Sequence, residues 1–166
     1  MTGPETRQPV TVGFADACKQ PMFHRVLNAR PLTVRDTLAD MRRRFSNDVG
    51  EDTLGRLELV LAELMNNVAE HAPIAGQEQT AHVPVIHLCV VRHRAGLACA
   101  LTDDGMSLPD DCVLPRSLPA AIPEDLPEGG FGWFLIQDLT QALSYYRRES
   151  RNYLAFNIPF ASEGDR

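Results

Sequence analysis

The segment from residue 53 to residue 71 constrains the fold of this chain more than any other part of the sequence. Its apolar residues recur at helical spacing and fall within an arc of roughly 100° around the helix axis. Such a segment must bury one face against another layer of the protein. It predicts an amphipathic helix that Asp52 or Thr53 caps and that Pro73 ends. The core stripe of this helix consists of Leu54, Leu57, Leu61, Leu64, Met65 and Val68.

A polar stripe adjoins the core stripe on the same helix and contains Glu63, Asn67, Glu70 and His71. Glu63 and Asn67 are four residues apart, so their side chains stack on one face. A carboxylate and an amide in this arrangement can bind a hydrated magnesium ion or position a hydroxyl group. From this helix alone, however, the favoured interpretation is an ordinary solvent-facing polar stripe.

Five strands and two further helices are predicted around this helix. The alternation of apolar residues and the turn signals place the strands at 23–29, 85–91, 97–102, 143–147 and 153–158, and the helices at 32–47 and 133–139. Hairpins interspersed with helices favour an α+β fold. We therefore expect a two-layer sandwich with a mixed, mainly antiparallel sheet and with the helices on one face.

Length and charge narrow the function classes. Residues 1–20 carry weak structural signals, and residues 21–162 are expected to form a single domain. A net charge of −6 argues against a nucleic-acid partner. The sequence has no apolar run near the ~20 residues of a membrane helix and no signal-peptide core. A cytoplasmic protein is expected, with buried free thiols at Cys18, Cys89, Cys99 and Cys112.

Two glycine-containing segments follow at strand and helix boundaries. The apolar strand 97–102 runs into Asp103, Asp104 and Gly105, where an acid can accept a hydrogen bond from an amino group and glycine allows close backbone approach. Residues 129–132 (GGFG) precede an apolar helix, whose N-terminus favours an anion such as phosphate. The loop at about 105–130 is rich in proline, and a loop of this length is typically a functional lid or a disordered insertion.

The order of these segments resembles a known family. ELMNNVAEHA at 63–72, DDGMSLP at 103–109 and GGFGWFLI at 129–136 are similar to the N box, the acidic adenine box and the glycine box of GHKL ATPases. Their form is typical of the anti-sigma-factor serine kinases. The resemblance covers residues 23–160 and implies the Bergerat ATP-binding fold, with an ATP lid at about 105–130.

The resemblance implies a role for each part of these motifs. Glu63 would be the general base that takes the proton of an attacking serine hydroxyl, and Asn67 would ligate the magnesium that bridges the ATP phosphates. Asp103 would accept a hydrogen bond from the adenine amine, beside Gly105. The remaining nucleotide-binding positions implied are His71, which fits a helix-end role equally well, and Gly130, Phe131 and Gly132 at the phosphates.

The family's partners are implied in the same way: a sigma factor and a STAS-domain anti-anti-sigma protein, with transcription regulated by partner switching. A homodimer is possible through Phe23, Val26 and Leu27, which fit a core equally well. Two alternatives stay open at this point. The domain is either a non-catalytic ATP-binding regulator that holds a partner, or a histidine-kinase-like phosphotransfer domain.

Some positions depart from the family's pattern. Gly129 stands where related kinases often have a basic residue, and Gln141 stands where an acid is common. Arg116 is the only basic residue in the proline-rich lid, and the only lysine of the chain is Lys19. Charge compensation at the terminal phosphate is therefore expected from magnesium, from Arg116 or from another arginine.

Overall fold

Eight elements of secondary structure make up the part of the chain that the computed structural model describes, which is residues 21–71, 82–108 and 130–161. Each helix and strand predicted from the sequence is present. In chain order the elements are β1 (Met22–Asn28), α1 (Pro31–Phe45), α2 (Glu51–Glu70), β2 (Val85–His93), β3 (Gly96–Asp103), α3 (Gly130–Leu139), β4 (Gln141–Arg148) and β5 (Arg151–Pro159).

The five strands form one open sheet in the order β1-β2-β3-β5-β4. The predicted α+β class is confirmed. All four pairings between the described strands are antiparallel, so the parallel pair that a mixed sheet would contain is not found among them. The strands β2 and β3 form one antiparallel hairpin, and β4 and β5 form another. The pairing of β5 with β3 is also antiparallel and joins the two hairpins into one sheet.

The core lies between the sheet and the helices. On β2, the buried residues Ile86, Leu88 and Val90 alternate with half-buried ones, as expected when one face of a strand is covered. The stripe predicted on α2 is confirmed, since five of its six residues are buried and Val68 packs half-buried against the core. Burying this stripe fixes the rotation of α2 and therefore the position of its polar stripe.

The predicted N-terminal cap of α2 is wrong. The helix begins at Glu51, and the residue that precedes it, Gly50, has an extended backbone and takes the cap position. Thr53 is fully buried inside the first turns, where its Oγ1 accepts a hydrogen bond of 2.8 Å from the backbone N–H of Ala161. The prediction that Thr53 is a cap was based on local spacing. Local spacing could not reveal that Thr53 bonds to Ala161, which is 108 residues away in the chain.

Other predictions about side chains have mixed outcomes. Cys99 is a buried free thiol, and burial raises its pKa, whereas Cys89 is half-buried; Cys18 and Cys112 lie outside the described residues. Phe23 and Leu27 belong to the core, but Val26 is exposed on the opposite face of β1.

None of the helices in the described ranges has the length and apolar character that crossing a bilayer requires.

The burial of α2 generates a stability prediction. Leu61→Ala is expected to lower the free energy of unfolding by about 3 kcal/mol, because the fully buried side chain leaves a cavity. Leu59→Ala is the matched control on the same helix: its side chain is 52% exposed, and the expected change is within about 0.5 kcal/mol. Urea unfolding measures both values, and equal losses for the two variants would contradict this placement of the stripe.

Candidate nucleotide-binding site

The start of α3 lies directly against the polar stripe of α2. Glu63 and Asn67 are both half-buried. A Cβ atom added to Gly132 would lie 2.5 Å from Oε2 of Glu63, so any larger residue at position 132 would displace this carboxylate. The structure therefore brings Glu63 next to the glycine-rich start of α3, which sequence spacing alone only suggested.

The turn after β3 lies against the same helix. Asp103 is the last residue of β3 and is only 6% exposed. Its Oδ1 accepts hydrogen bonds from the backbone N–H of Gly105 at 2.8 Å and from Nδ2 of Asn152 at 3.0 Å. A Cβ atom added to Gly105 would lie 3.5 Å from Cγ1 of Val68, the residue that follows Asn67 on α2. The turn at Gly105 therefore lies beside α2.

These contacts group the three motifs along one helix. Gly132 meets α2 at Glu63 and Gly105 meets it at Val68, five residues further on. At 1.5 Å of rise per residue, the two contact points are about 7.5 Å apart along the helix axis. Asn67 lies between these points. The arrangement places Glu63 and Asn67 of α2 near the start of α3 and near the turn that follows Asp103.

The two adjacent acids have opposite electrostatic environments. Burial raises the pKa of Asp103, and the neighbouring Asp104 adds to this, although the bonds from Asn152 and Gly105 and the charge of Arg147 oppose it. The pKa of Asp104 is lowered: burial alone would raise it, but hydrogen bonds from the backbone N–H of Val85 and from His82 outweigh that effect. Asp103 is therefore the poorly hydrated acceptor of the pair.

Asp104 has a structural role at the start of β2. Its Oδ1 accepts a hydrogen bond of 2.7 Å from the backbone N–H of Val85, and its Oδ2 lies 2.6 Å from Nε2 of His82. These contacts use both oxygens of the carboxylate. Of the two acids, only Asp103 retains an oxygen without a hydrogen bond to the described residues.

The other predicted site residues have varied positions. His71 is exposed at the C-terminal end of α2, where its Nδ1 donates a hydrogen bond of 2.7 Å to the backbone oxygen of Asn67, an arrangement that fits the helix-end role. Gly130 begins α3, and Phe131 follows it in the helix. Residues 109–129, which include most of the predicted lid with Arg116 and Gly129, lie outside the described residues.

Sequence reasoning missed Asn152. This residue is 3% exposed and donates to the carboxylate of Asp103. One signal was available, since Asn152 occupies an inward position of a strand whose other inward residues, Leu154, Phe156 and Ile158, are apolar. A polar residue on the core face of a strand needs a buried partner, but the sequence could not show which residue that was.

A small surface cleft also borders Asp103. Its lining includes His87 and Thr102, which alternate with core residues and so lie on the sheet face away from the helices. Neither Glu63 nor Asn67 lines this cleft. The cleft therefore borders one of the motif residues, Asp103, but not the two on α2.

Comparison with known proteins assigns the chain to a family. Residues 27–158 match the family described as Histidine kinase-like ATPase domain. The chain belongs to this family.

This histidine kinase-like ATPase domain is similar to two proteins that are named as kinases. It is 30% identical over 107 residues to the serine/threonine-protein kinase BtrW of Bordetella bronchiseptica, covering 64% of this chain and 71% of that protein. It is also similar to the blue-light activated histidine kinase EL346 of Erythrobacter litoralis, with 24% identity and a TM-score of 0.47. That match covers 70% of this chain but only 33% of the histidine kinase, so the chain spans about a third of its length.

Family membership has a direct chemical consequence. An ATPase domain binds ATP, so the ligand class expected from the three sequence motifs is supported by the family assignment. The general likeness of the chain to GHKL ATPases is likewise confirmed. The roles of the individual site residues remain predictions.

The buried charge of Asp103 generates a prediction about pH. Asp103→Asn is expected to stabilise the nucleotide-free protein at about pH 8 and to have little effect near pH 4. A carboxyl group whose pKa is raised on folding stabilises the fold only while it is protonated. The wild type should therefore lose stability relative to the variant as the pH rises from about 4, the ordinary pKa of Asp, through the raised pKa. The Asn oxygen still accepts from Gly105 and Asn152.

Urea unfolding of both proteins across this pH range measures the effect. A stability advantage of the variant that grows towards acid, or a stability difference that does not change with pH, would contradict a raised pKa at Asp103.

Proposed function

We propose that this domain is a protein serine kinase of the anti-sigma-factor type, which phosphorylates a STAS-domain antagonist and regulates transcription by partner switching. The observation that carries the proposal is the contact of Gly132 with the carboxylate of Glu63. It puts a possible proton acceptor beside the start of α3, where backbone N–H groups favour phosphate. The likeness to the serine/threonine-protein kinase BtrW favours serine as the phosphate acceptor.

The proposed reaction uses Glu63 as the base. As the serine oxygen forms its bond to the terminal phosphorus of ATP, Glu63 takes the hydroxyl proton. The bond between this phosphorus and the bridging oxygen breaks, and ADP leaves with the electron pair. Phosphoryl transfer depends mainly on positioning and on neutralising charge, so a small set of groups suffices.

Base recognition is assigned to Asp103. Its oxygen without a hydrogen bond to the described residues is the acceptor for the exocyclic amine of adenine. Gly105, two residues further on, has no side chain and would let the backbone pass close to the ring. The low hydration of Asp103 favours this bond, since an exposed carboxylate would be satisfied by water.

Magnesium fits the proposed site through Asn67. The described residues contain no group of three or more His, Cys, Asp or Glu side chains arranged to hold a metal. Mg²⁺ does not need such a group, because it keeps several waters and is bound by one or two protein oxygens together with substrate phosphates. The half-buried amide of Asn67, one turn after Glu63, is the protein ligand in this proposal. The bound ion would offset phosphate charge.

The division of roles between Asn67 and Asp103 predicts different nucleotide affinities. Asp103→Ala should weaken ADP binding about tenfold with or without magnesium, because a hydrogen bond to a charged group is lost. Asn67→Ala should remove mainly the part of the affinity that depends on magnesium. Isothermal titration with and without magnesium measures both effects. Asn66→Ala, at the exposed neighbouring position, is the control, and equal affinities for all variants would mean that the pocket is misplaced.

The proposed base predicts the outcome of a transfer assay. With labelled ATP, magnesium and a STAS-domain protein encoded beside this gene, Glu63→Gln should lower the transfer rate by at least about a hundredfold while nucleotide binding persists. Glu70→Gln, an exposed carboxylate on the same stripe, is the matched control and should transfer at the wild-type rate.

The labelled product distinguishes the competing functions. An acid-stable phosphoserine supports the proposal, whereas an acid-labile phosphohistidine would indicate histidine-kinase-like transfer. Partner binding by the wild type without any phosphorylated product would identify a non-catalytic regulator instead.

A further inference from the structure

A polar row crosses three strands at the end of the sheet where Asp103 lies. Asn152 of β5 is the register partner of Asp103 on β3 and of Arg147 on β4. Residues paired in this way have neighbouring side chains on the same face of a sheet. Asn152 is therefore at the centre of the row, and it is the most deeply buried of the three.

The amide of Asn152 is fully used in hydrogen bonding. Its Nδ2 donates to Oδ1 of Asp103 at 3.0 Å and to the backbone oxygen of Met106 at 2.8 Å. Its Oδ1 accepts from the hydroxyl of Tyr145 and from Nη1 of Arg147, both at 2.8 Å. The guanidinium of Arg147 can only donate and a backbone oxygen can only accept, so these partners fix the orientation of the amide.

The same network holds the chain that follows Asp103. Nη1 of Arg147 donates to the backbone oxygen of Gly105 at 3.0 Å, and the backbone N–H of Leu108 donates to the hydroxyl of Tyr145 at 3.2 Å. The β4–β5 hairpin thus restrains residues 105–108 as well as the carboxylate. Nothing in the proposed kinase reaction requires Tyr145 or Asn152, so the network needs another explanation.

We propose that Asn152 and Tyr145 are positioning residues that make the purine pocket selective for a base with an exocyclic 6-amino group. The inference rests on the proposed role of Asp103 as acceptor for the base. Asn152 and Gly105 both bond to Oδ1 of Asp103, which holds the carboxylate in one rotation and presents Oδ2 to the ligand.

The fixed rotation of the Asp103 carboxylate determines selectivity, because a carboxylate oxygen accepts hydrogen bonds from more than one kind of donor. In a 6-oxopurine, the oxygen at position 6 repels a carboxylate, but the adjacent ring N1–H can donate to one. A carboxylate that turns freely would exchange the first contact for the second and would accept either base. A carboxylate that is held in place cannot make this exchange. A 6-oxopurine is then disfavoured, because its oxygen at position 6 faces the carboxylate oxygen of Asp103 and both groups are acceptors in a site with little water.

The test compares ADP with inosine diphosphate, its 6-oxo analogue, by isothermal titration without magnesium. The wild type should favour ADP at least tenfold. Asn152→Ala should lower this preference about tenfold, since one bond to a charged group is removed, and Tyr145→Phe should lower it about threefold through loss of a neutral bond. Tyr146→Phe is the matched control: this tyrosine is 58% exposed and stacks on Tyr153 with ring centroids 4.7 Å apart, and the preference should not change.

The ratio of the two affinities separates positioning from general structural support. A variant that binds both nucleotides more weakly by the same factor would overturn the proposal, because only the ratio reports the rotation of Asp103. If Asn152→Ala does not fold, Tyr145→Phe decides the question, since it removes a single oxygen.

The failure of this proposal can be told from failure of the proposed function. If the wild type and Asp103→Asn both bind ADP and inosine diphosphate equally, the role of Asp103 in base recognition is wrong and the positioning role falls with it. If Asp103→Asn abolishes the preference but neither Asn152→Ala nor Tyr145→Phe changes it, only the positioning role is wrong.

Discussion

The burial of one face of α2 against the antiparallel sheet determines where the polar groups of the site lie. The stripe containing Leu57 and Leu61 cannot rotate without exposing core residues, and this fixes Glu63 and Asn67 on the neighbouring edge of the helix. Gly132 then meets that edge because it has no side chain to hold it away, and Gly105 lies near Val68 of the core stripe. The turn after β3 and the start of α3 therefore converge on α2 through packing, without a direct bond to Glu63 or Asn67 among the described contacts.

The burial of the Asp103 carboxylate lowers the stability of the fold, and interactions elsewhere in the fold offset this loss. Asp103 is a carboxylate in a poorly hydrated position, and burial raises its pKa. Hydrogen bonds from the backbone of Gly105 and from Asn152 reduce this cost without removing it. The remaining penalty is consistent with a group that serves a ligand, because the strongest acceptor for an incoming amine is one that water does not already satisfy.

The sequence predicted the elements better than it predicted their partners. The α2 stripe and the five strands could be predicted from local periodicity. An element that buries one face needs apolar residues at a regular spacing, and that spacing is visible in the sequence. The cap of α2 was wrong because Thr53 bonds to Ala161, and Asn152 was missed because its partner depends on the register of β3 and β5. Both failures concern contacts between residues that are far apart in the chain, about which local patterns carry no information.

Asn152 shows how a buried acid changes the sequence of the neighbouring strand. An apolar residue there would continue the inward pattern of β5, in which Leu154 and Phe156 are buried. It would also leave a buried oxygen of Asp103 with one donor fewer, and an unsatisfied buried charge costs more than an extra apolar contact gains. The polar residue in an apolar row is therefore explained by the chemistry of position 103, and the hairpin residues Tyr145 and Arg147 complete its hydrogen bonds in turn.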